Sequence, residues 1–220
     1  MKKMLKFPYG RRDFYELITE NYLYLDRTQH IRFVEDWGKE LLFLRPRRFG
    51  KSLWLSTLMS YYDLAKADDF ERLFGHLAIG QDPTPLHNQY LIMRWDFSNV
   101  RADGSLEAIF QSLSNHINVR IQNFQRDYRN YLDFVSDIDP NDAYVSFNAL
   151  VGTVRASGYK LYLFIDEYDN FANEVFMKPI PSSSDEDWYK KHQEQQNKYI
   201  ELVKGEGIFK TLFKNLKSAG

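Results

Sequence analysis

The sequence predicts an α/β protein with a mostly parallel sheet and helices on both faces. Three short apolar runs read as buried strands: residues 40–44 (Glu40-Leu41-Leu42-Phe43-Leu44), residues 90–97 and residues 160–165. Helical patterns lie between them, and strands that alternate with helices build covered parallel sheets. A basic turn containing Gly50 follows the first run and leads straight into a helical pattern.

The helical expectations rest on spacing and punctuation. Residues 52–64 follow the Gly50 turn. Residues 105–124 carry Leu106, Ile109, Phe110, Leu113, Ile117 and Ile121 on one face. Residues 146–157 are closed by Gly158, and Asp139-Pro140-Asn141-Asp142 has the composition of a helix boundary. Gln81 to Pro85 and residues 178–187 read as loops. Residues 188–203 read as a polar helix, and 208–216 as a short amphipathic one. Trp54, Leu55, Leu58 and Met59 are expected to face the sheet.

Composition narrows the function classes. With 44% apolar residues, 17 Phe and 15 Tyr, the chain can build a core, so disorder is excluded. A net charge of -1 gives no global attraction to nucleic acid or to a membrane surface. The lack of cysteine excludes disulfides, thiolate catalysis and cysteine-ligated zinc. The five histidines, at 30, 76, 87, 116 and 192, show no metal-ligand spacing. No signal-like apolar segment opens the sequence, and no apolar run approaches the roughly 18 residues of a membrane span. A cytoplasmic protein without a membrane partner is the expectation.

Two motifs carry the chemistry. The first is Arg45-Pro46-Arg47-Arg48-Phe49-Gly50-Lys51-Ser52. Its strand–loop–helix setting is that of a phosphate-binding P-loop (Walker A). Glycine lets the backbone approach a phosphate, and the amides of Lys51 and Ser52 would open a helix N-terminus that favours anions. The Lys51 ammonium would reach the β- and γ-phosphates, and the Ser52 hydroxyl would ligate Mg2+. Arg45 stands where the usual pattern has its first Gly, so an exposed basic turn capped by Ser52 is the alternative. The second motif is an apolar strand ending in Asp166-Glu167, a Walker B arrangement. Asp166 would hold the metal and Glu167 would polarise the attacking water. The alternative is a strand running into an acidic turn. The two motifs stand in the expected order. Asp96, ending the second strand, is either a helper on the same rim or a turn cap.

Tyr9-Gly10 with Phe14, Tyr22 through Thr28, Arg45 through Leu53, Asp96-Phe97-Ser98 and Ile165 through Asn170 follow one another in an order that resembles the predicted AAA-ATPase-like family. The resemblance covers almost the whole chain, and the Arg-Pro-Arg-Arg-Phe-Gly-Lys-Ser loop is typical of that family. It implies a P-loop NTPase fold of the AAA/ASCE-like kind over residues 1–220. Residues 1–35 would be a lead-in segment and 36–220 the P-loop core, ending before the C-terminal sensor strand. It also implies ATP and Mg2+ as cofactors. Arg47, Arg48, Phe49, Gly50, Lys51, Ser52 and Leu53 would bind nucleotide, Ser52 and Asp166 the metal, and Glu167 and Lys51 would be catalytic. Tyr22, Tyr24 and Asp26 would lie in the lead-in, near the adenine or in the core. The implied activity is ATP hydrolysis that powers or gates an effector domain, of which a fused nuclease-like domain is one form. Nucleotide is the expected partner, with a homo-oligomer and, through a fused domain, nucleic acid as further ones. The competing readings are a nucleotide-controlled switch without catalysis, and a nucleic-acid module using Arg45, Arg47, Arg48 and Arg94.

Overall fold

The structure, a computed structural model, describes residues 6–38, 40–46, 48–100 and 106–167. Among the described residues, α-helices and β-strands follow one another along the chain, with short 3-10 turns between some of them. Helix α1 is Phe14–Thr19, α2 Ile31–Asp36, α3 Lys51–Tyr62, α4 Phe70–Phe74 and α5 Ala78–Gln81. Strand β1 is Tyr90–Asp96, α6 is Leu106–Asp127, α7 is Ala143–Ala156 and β2 is Lys160–Asp166. The two strands pair as parallel neighbours. Parallel neighbours need a long crossover, and α6 with α7 supplies it. The chain divides into two compact units, Met1–Ile92 with Tyr159–Phe164, and Met93–Gly158 with Ile165–Gly220.

The first unit has an aromatic core. Phe14, Tyr61 and Phe74 are fully buried. Phe74 stacks on Phe14 at 4.9 Å between centroids and meets Tyr61 edge-on at 5.3 Å. Such pairs add specific ring energy to the area they remove from water. Tyrosine hydroxyls inside a core need partners, and they have them here. Tyr62 donates to Glu35 Oε1 at 3.1 Å, Thr84 Oγ1 donates to the same oxygen at 2.8 Å, and the Thr84 amide donates to the Tyr61 hydroxyl at 2.8 Å. Tyr162 packs against Tyr62 and Tyr90 at 5.2 and 5.3 Å. Burial, with Tyr90 and Glu35 adding to it, pushes the Tyr162 hydroxyl up to about 12, and burial raises Tyr62 in the same direction.

The second unit is built on α6. Ile109, Leu113, Ile117, Ile121 and Phe124 recur every three or four residues and are all buried. Trp95 on β1, fully buried, meets Phe147 of α7 edge-on at 5.1 Å. Helix α7 opens at Ala143, earlier than the expected 146 and directly after the predicted boundary: Asp142 accepts from the amides of Tyr144 and Val145 at 2.9 and 3.3 Å. It closes at Gly158, whose φ of 78° suits the left-handed turn after a helix.

One predicted strand is absent. Residues 40–44 form no strand, and Leu42 and Leu44 are 68% and 71% exposed. An apolar run becomes a strand only when a neighbour takes up its amides and carbonyls, and among the described residues no strand pairs with it. The parallel sheet is thus smaller than the sequence implies. The expected helices at 188–203 and 208–216 and the loop at 178–187 lie outside the described residues. Among the described residues, no helix is long and apolar enough to cross a membrane.

Two outcomes test this packing. Phe74→Ala should lower unfolding free energy by about 3–5 kcal/mol, since it removes a fully buried ring; urea denaturation measures it, and a loss under 1 kcal/mol, on the order of a surface change, would refute the packing. Tyr162 supplies a pH signature. An unfolded tyrosine releases its proton near pH 10, while the folded one keeps it to about 12. Its contribution is therefore fully present below pH 10 and is lost as pH rises toward about 12. Tyr162→Phe should flatten the alkaline fall of the denaturation midpoint over that window; an unchanged slope would show that the hydroxyl is not shielded.

Candidate functional site

The basic loop lies in the first unit. Arg45, Arg48, Phe49 and Gly50 are exposed, and Lys51, Ser52 and Leu53 are half-buried in the first turn of α3. Arg48 and Gly50 both adopt left-handed backbone, with φ of 66° and 76°. Gly50 is the N-cap of α3, and its carbonyl accepts the first helical bond, from the Trp54 amide at 2.9 Å. Gly50 itself offers no side chain to cap this end. The amides of Lys51, Ser52 and Leu53 therefore meet no intrahelical acceptor and point out of the helix, as amides that receive an anion do. The N-cap of α3 is Gly50, and Ser52 stands inside the helix's first turn. Arg47 lies outside the described residues.

Helix α3 owes its position to what lies behind it. Ser56 Oγ accepts from the Phe14 amide at 2.9 Å, and Tyr24 meets Thr57 Oγ1 at 3.4 Å. The Tyr24 ring is edge-on to Phe14 at 5.2 Å, so it packs into the core of the unit. Trp54, Leu55 and Met59 pack against that core and Leu58 belongs to it. Tyr22 is a perch for cations, with Lys6 Nζ at 5.0 Å and Arg11 at 5.8 Å from its centroid. Asp26 is structural. Its Oδ1 accepts from the Thr28 amide and hydroxyl at 2.8 and 2.7 Å, and its Oδ2 from the Ala78 amide at 2.7 Å. Partial burial works to raise its pKa, but these bonds outweigh it and hold the carboxyl below its ordinary value.

The acidic strand end lies in the second unit. Asp166 ends β2 and is 7% exposed. Its Oδ1 accepts from the Glu167 amide at 3.1 Å and its Oδ2 from Arg94 Nη2 at 2.9 Å. Glu167 has φ of 53°, an uncommon conformation for a residue with a side chain and one that concentrates at functional sites. Asp96 ends β1. Its Oδ1 accepts from the Ser98 amide at 3.1 Å, so it caps the turn after the strand, and its Oδ2 binds Arg94 Nη2 at 3.1 Å. His116 on α6 sits beside Asp96 and Phe97. Burial and the nearby Arg120 lower its pKa against the pull of Asp96, and its Nε2 is buried with no partner. Residues 168–170 of the acidic motif lie outside the described residues.

The sequence reading placed Arg94 only in the nucleic-acid-module alternative. Its double pairing emerges from the register of β1 and β2. Among the described residues, no group of three or more His, Cys, Asp or Glu side chains is placed to hold a metal. The oxygen donors at the predicted metal residues, a Ser52 hydroxyl and an Asp166 carboxylate, are of the hard type that suits Mg2+.

These features define a mixed helix/strand protein with a small parallel sheet, an open helix N-terminus behind a basic loop, and an acidic strand end. A family model described as predicted AAA-ATPase matches residues 8–216, and the chain belongs to that family. Comparison with curated proteins and with solved structures gives no match.

Gly50→Ala tests the loop. A Cβ there would meet nothing within 4 Å, so the cost is purely conformational. The left-handed backbone should destabilise the first unit by about 1–2 kcal/mol, read as a shift in urea midpoint; no shift would mean that the glycine is dispensable for the turn.

Proposed function

We propose that this chain is the nucleotide-binding domain of a Mg2+-dependent ATPase whose turnover powers or gates an attached effector. The observation that carries the reading is the uncapped start of α3 at Lys51, placed directly behind the left-handed Gly50. A helix N-terminus offers amides and a positive dipole end to phosphate. Family membership makes ATP the expected nucleotide.

In this reading the amides of Gly50, Lys51, Ser52 and Leu53 cradle the β-phosphate. Lys51 neutralises the β- and γ-phosphate charge that grows as the terminal phosphoryl leaves. Arg47, Arg48 and Phe49 line the approach, the arginines adding positive charge near the phosphates. Ser52 and Asp166 would hold Mg2+, which supplies charge neutralisation on the phosphate oxygens. Glu167 orients and polarises the attacking water. Its left-handed backbone supports that role, because such strain persists where a side chain must be aimed.

Binding of a labelled ATP analogue in the presence of Mg2+, with Lys51→Ala beside the wild type, tests the first half. The alanine variant should lose at least about tenfold in affinity, equivalent to about 1.4 kcal/mol. Glu167→Gln should keep binding and lose about 10²-fold or more in hydrolysis. A wild-type chain that ignores nucleotide overturns the reading, and so does a Lys51→Ala variant that binds as the wild type does.

A further inference from the structure

The connection from α2 to α3 is fixed at both ends. Glu35, near the end of α2, accepts from Tyr62 and Thr84 at 3.1 and 2.8 Å, and α3 packs into the core of the first unit. Between these anchors the described residues form neither helix nor strand. Three aromatic rings stand in solvent there: Trp37 is 73% exposed, Phe49 64% and Phe43 38%.

The same connection gathers positive charge. Lys39, Arg45, Arg47, Arg48 and Lys51 stand against the single carboxylate of Glu40, on a chain whose net charge is -1. Arginines elsewhere are paired: Arg11, Arg32, Arg72 and Arg94 each meet a carboxylate. Among the described residues, no carboxylate pairs with Arg45 or Arg48. Arg45 lies over the Phe43 ring, 5.3 Å from its centroid, so ring and cation form one surface.

Exposed rings interleaved with unpaired cations match one kind of anionic polymer. In a single-stranded nucleic acid the bases stack on the rings and the phosphates meet the cations. A duplex is read by a helix or ribbon laid in a groove, and this connection is neither. A lipid surface attracts rings and cations too. Entry of an irregular backbone into hydrocarbon, however, leaves its amides and carbonyls unsatisfied, whereas phosphate oxygens accept from amides.

We propose that residues 37–49 form a binding surface for single-stranded nucleic acid, with Trp37 and Phe43 as stacking rings and Arg45 and Arg48 on the phosphates. The proposal does not depend on the ATPase reading, because Trp37, Phe43 and Arg45 lie outside the residues assigned to nucleotide.

The test uses the full chain without nucleotide. The anisotropy of a labelled oligothymidine of about 20 nucleotides, longer than the roughly 4–16 that one small domain covers, is followed as protein is added. Wild type should bind saturably, and its affinity should fall steeply as salt rises. Trp37→Ala should weaken binding at least about fivefold, on the order of one lost base stack, and Trp37→Phe should restore most of it. Arg45→Gln should weaken binding and flatten the slope of log affinity against log salt by about 0.7, the share of one phosphate. Both side chains are exposed, so both variants should melt as the wild type does and still bind the ATP analogue. A wild type without saturable binding overturns the proposal, and so does either folded variant that binds as the wild type does. Displacement of the oligonucleotide by polyglutamate as readily as by unlabelled oligothymidine overturns it as well, by showing charge alone at work. A duplex bound as tightly as the single strand has the same force, as does stronger capture on phosphatidylglycerol vesicles, which assigns the surface to a membrane. Oligonucleotide binding by a chain that ignores the ATP analogue removes the ATPase reading alone.

Discussion

Everything proposed for the first unit depends on how α3 is held. Its last six residues, Thr57 to Tyr62, are buried except for the half-buried Met59, whereas its first six are half-buried. Tyr61 and Tyr62 anchor the far end among Phe74, Tyr90 and Tyr162. Past the helix, Asn88 locks the exit: its amide donates to the Tyr61 carbonyl at 2.9 Å and its side chain to the Asp63 carbonyl at 2.6 Å. A helix is stiff, so fixing one end fixes the direction of the other. The amides behind Gly50 are thereby aimed by the packing of the helix's far end, and the basic loop is carried on a rigid mount. Sites borne by packed elements hold their geometry better than sites made of loops alone.

The density of tyrosine in this mount has a physical reason. A tyrosine ring fills as much core as phenylalanine, and its hydroxyl ties distant segments through hydrogen bonds. Glu35 receives bonds from both Tyr62 and Thr84, and Thr84 in turn donates its amide to Tyr61. A half-buried carboxylate accepting two hydroxyl donors is affordable, whereas the same carboxylate without them would be costly. Helix α2, which carries Glu35, is thus fastened to the end of α3 by polar bonds as well as by apolar packing.

Much of this was legible in the sequence. Residues 90–96 and 160–166 combine aromatic and branched side chains in unbroken runs, and both form strands. Asp142 and Gly158 bracket α7 as an N-cap and a left-handed terminator should. Residues 40–44 misled, because their run is as apolar as the others while the ladder that would make it a strand is a property of neighbours. Tyr24 joined the core, as aromatic spacing suggested. Arg94 was illegible as a partner of Asp166, because 72 residues separate them and only strand register brings them together. The start of α3 at Lys51 was inferable from Gly50-Lys51-Ser52, but the left-handed backbone of Arg48 and Gly50 needed the structure.

The end of β2 stores cost in two forms. Glu167 departs from the strand in a left-handed conformation, worth about 1–3 kcal/mol. Asp166 is a nearly buried carboxylate whose cationic partner divides its attention with Asp96. Neither feature helps folding. Both persist because the strand behind them is secured: Phe164 is buried, and Tyr162 and Phe164 lie with rings 4.4 Å apart. Strain held at one strand end by a well-packed strand is the arrangement that the proposed role of Glu167 calls for. Arg94, reaching Asp96 and Asp166 together, ties the strained end of β2 to its neighbour β1.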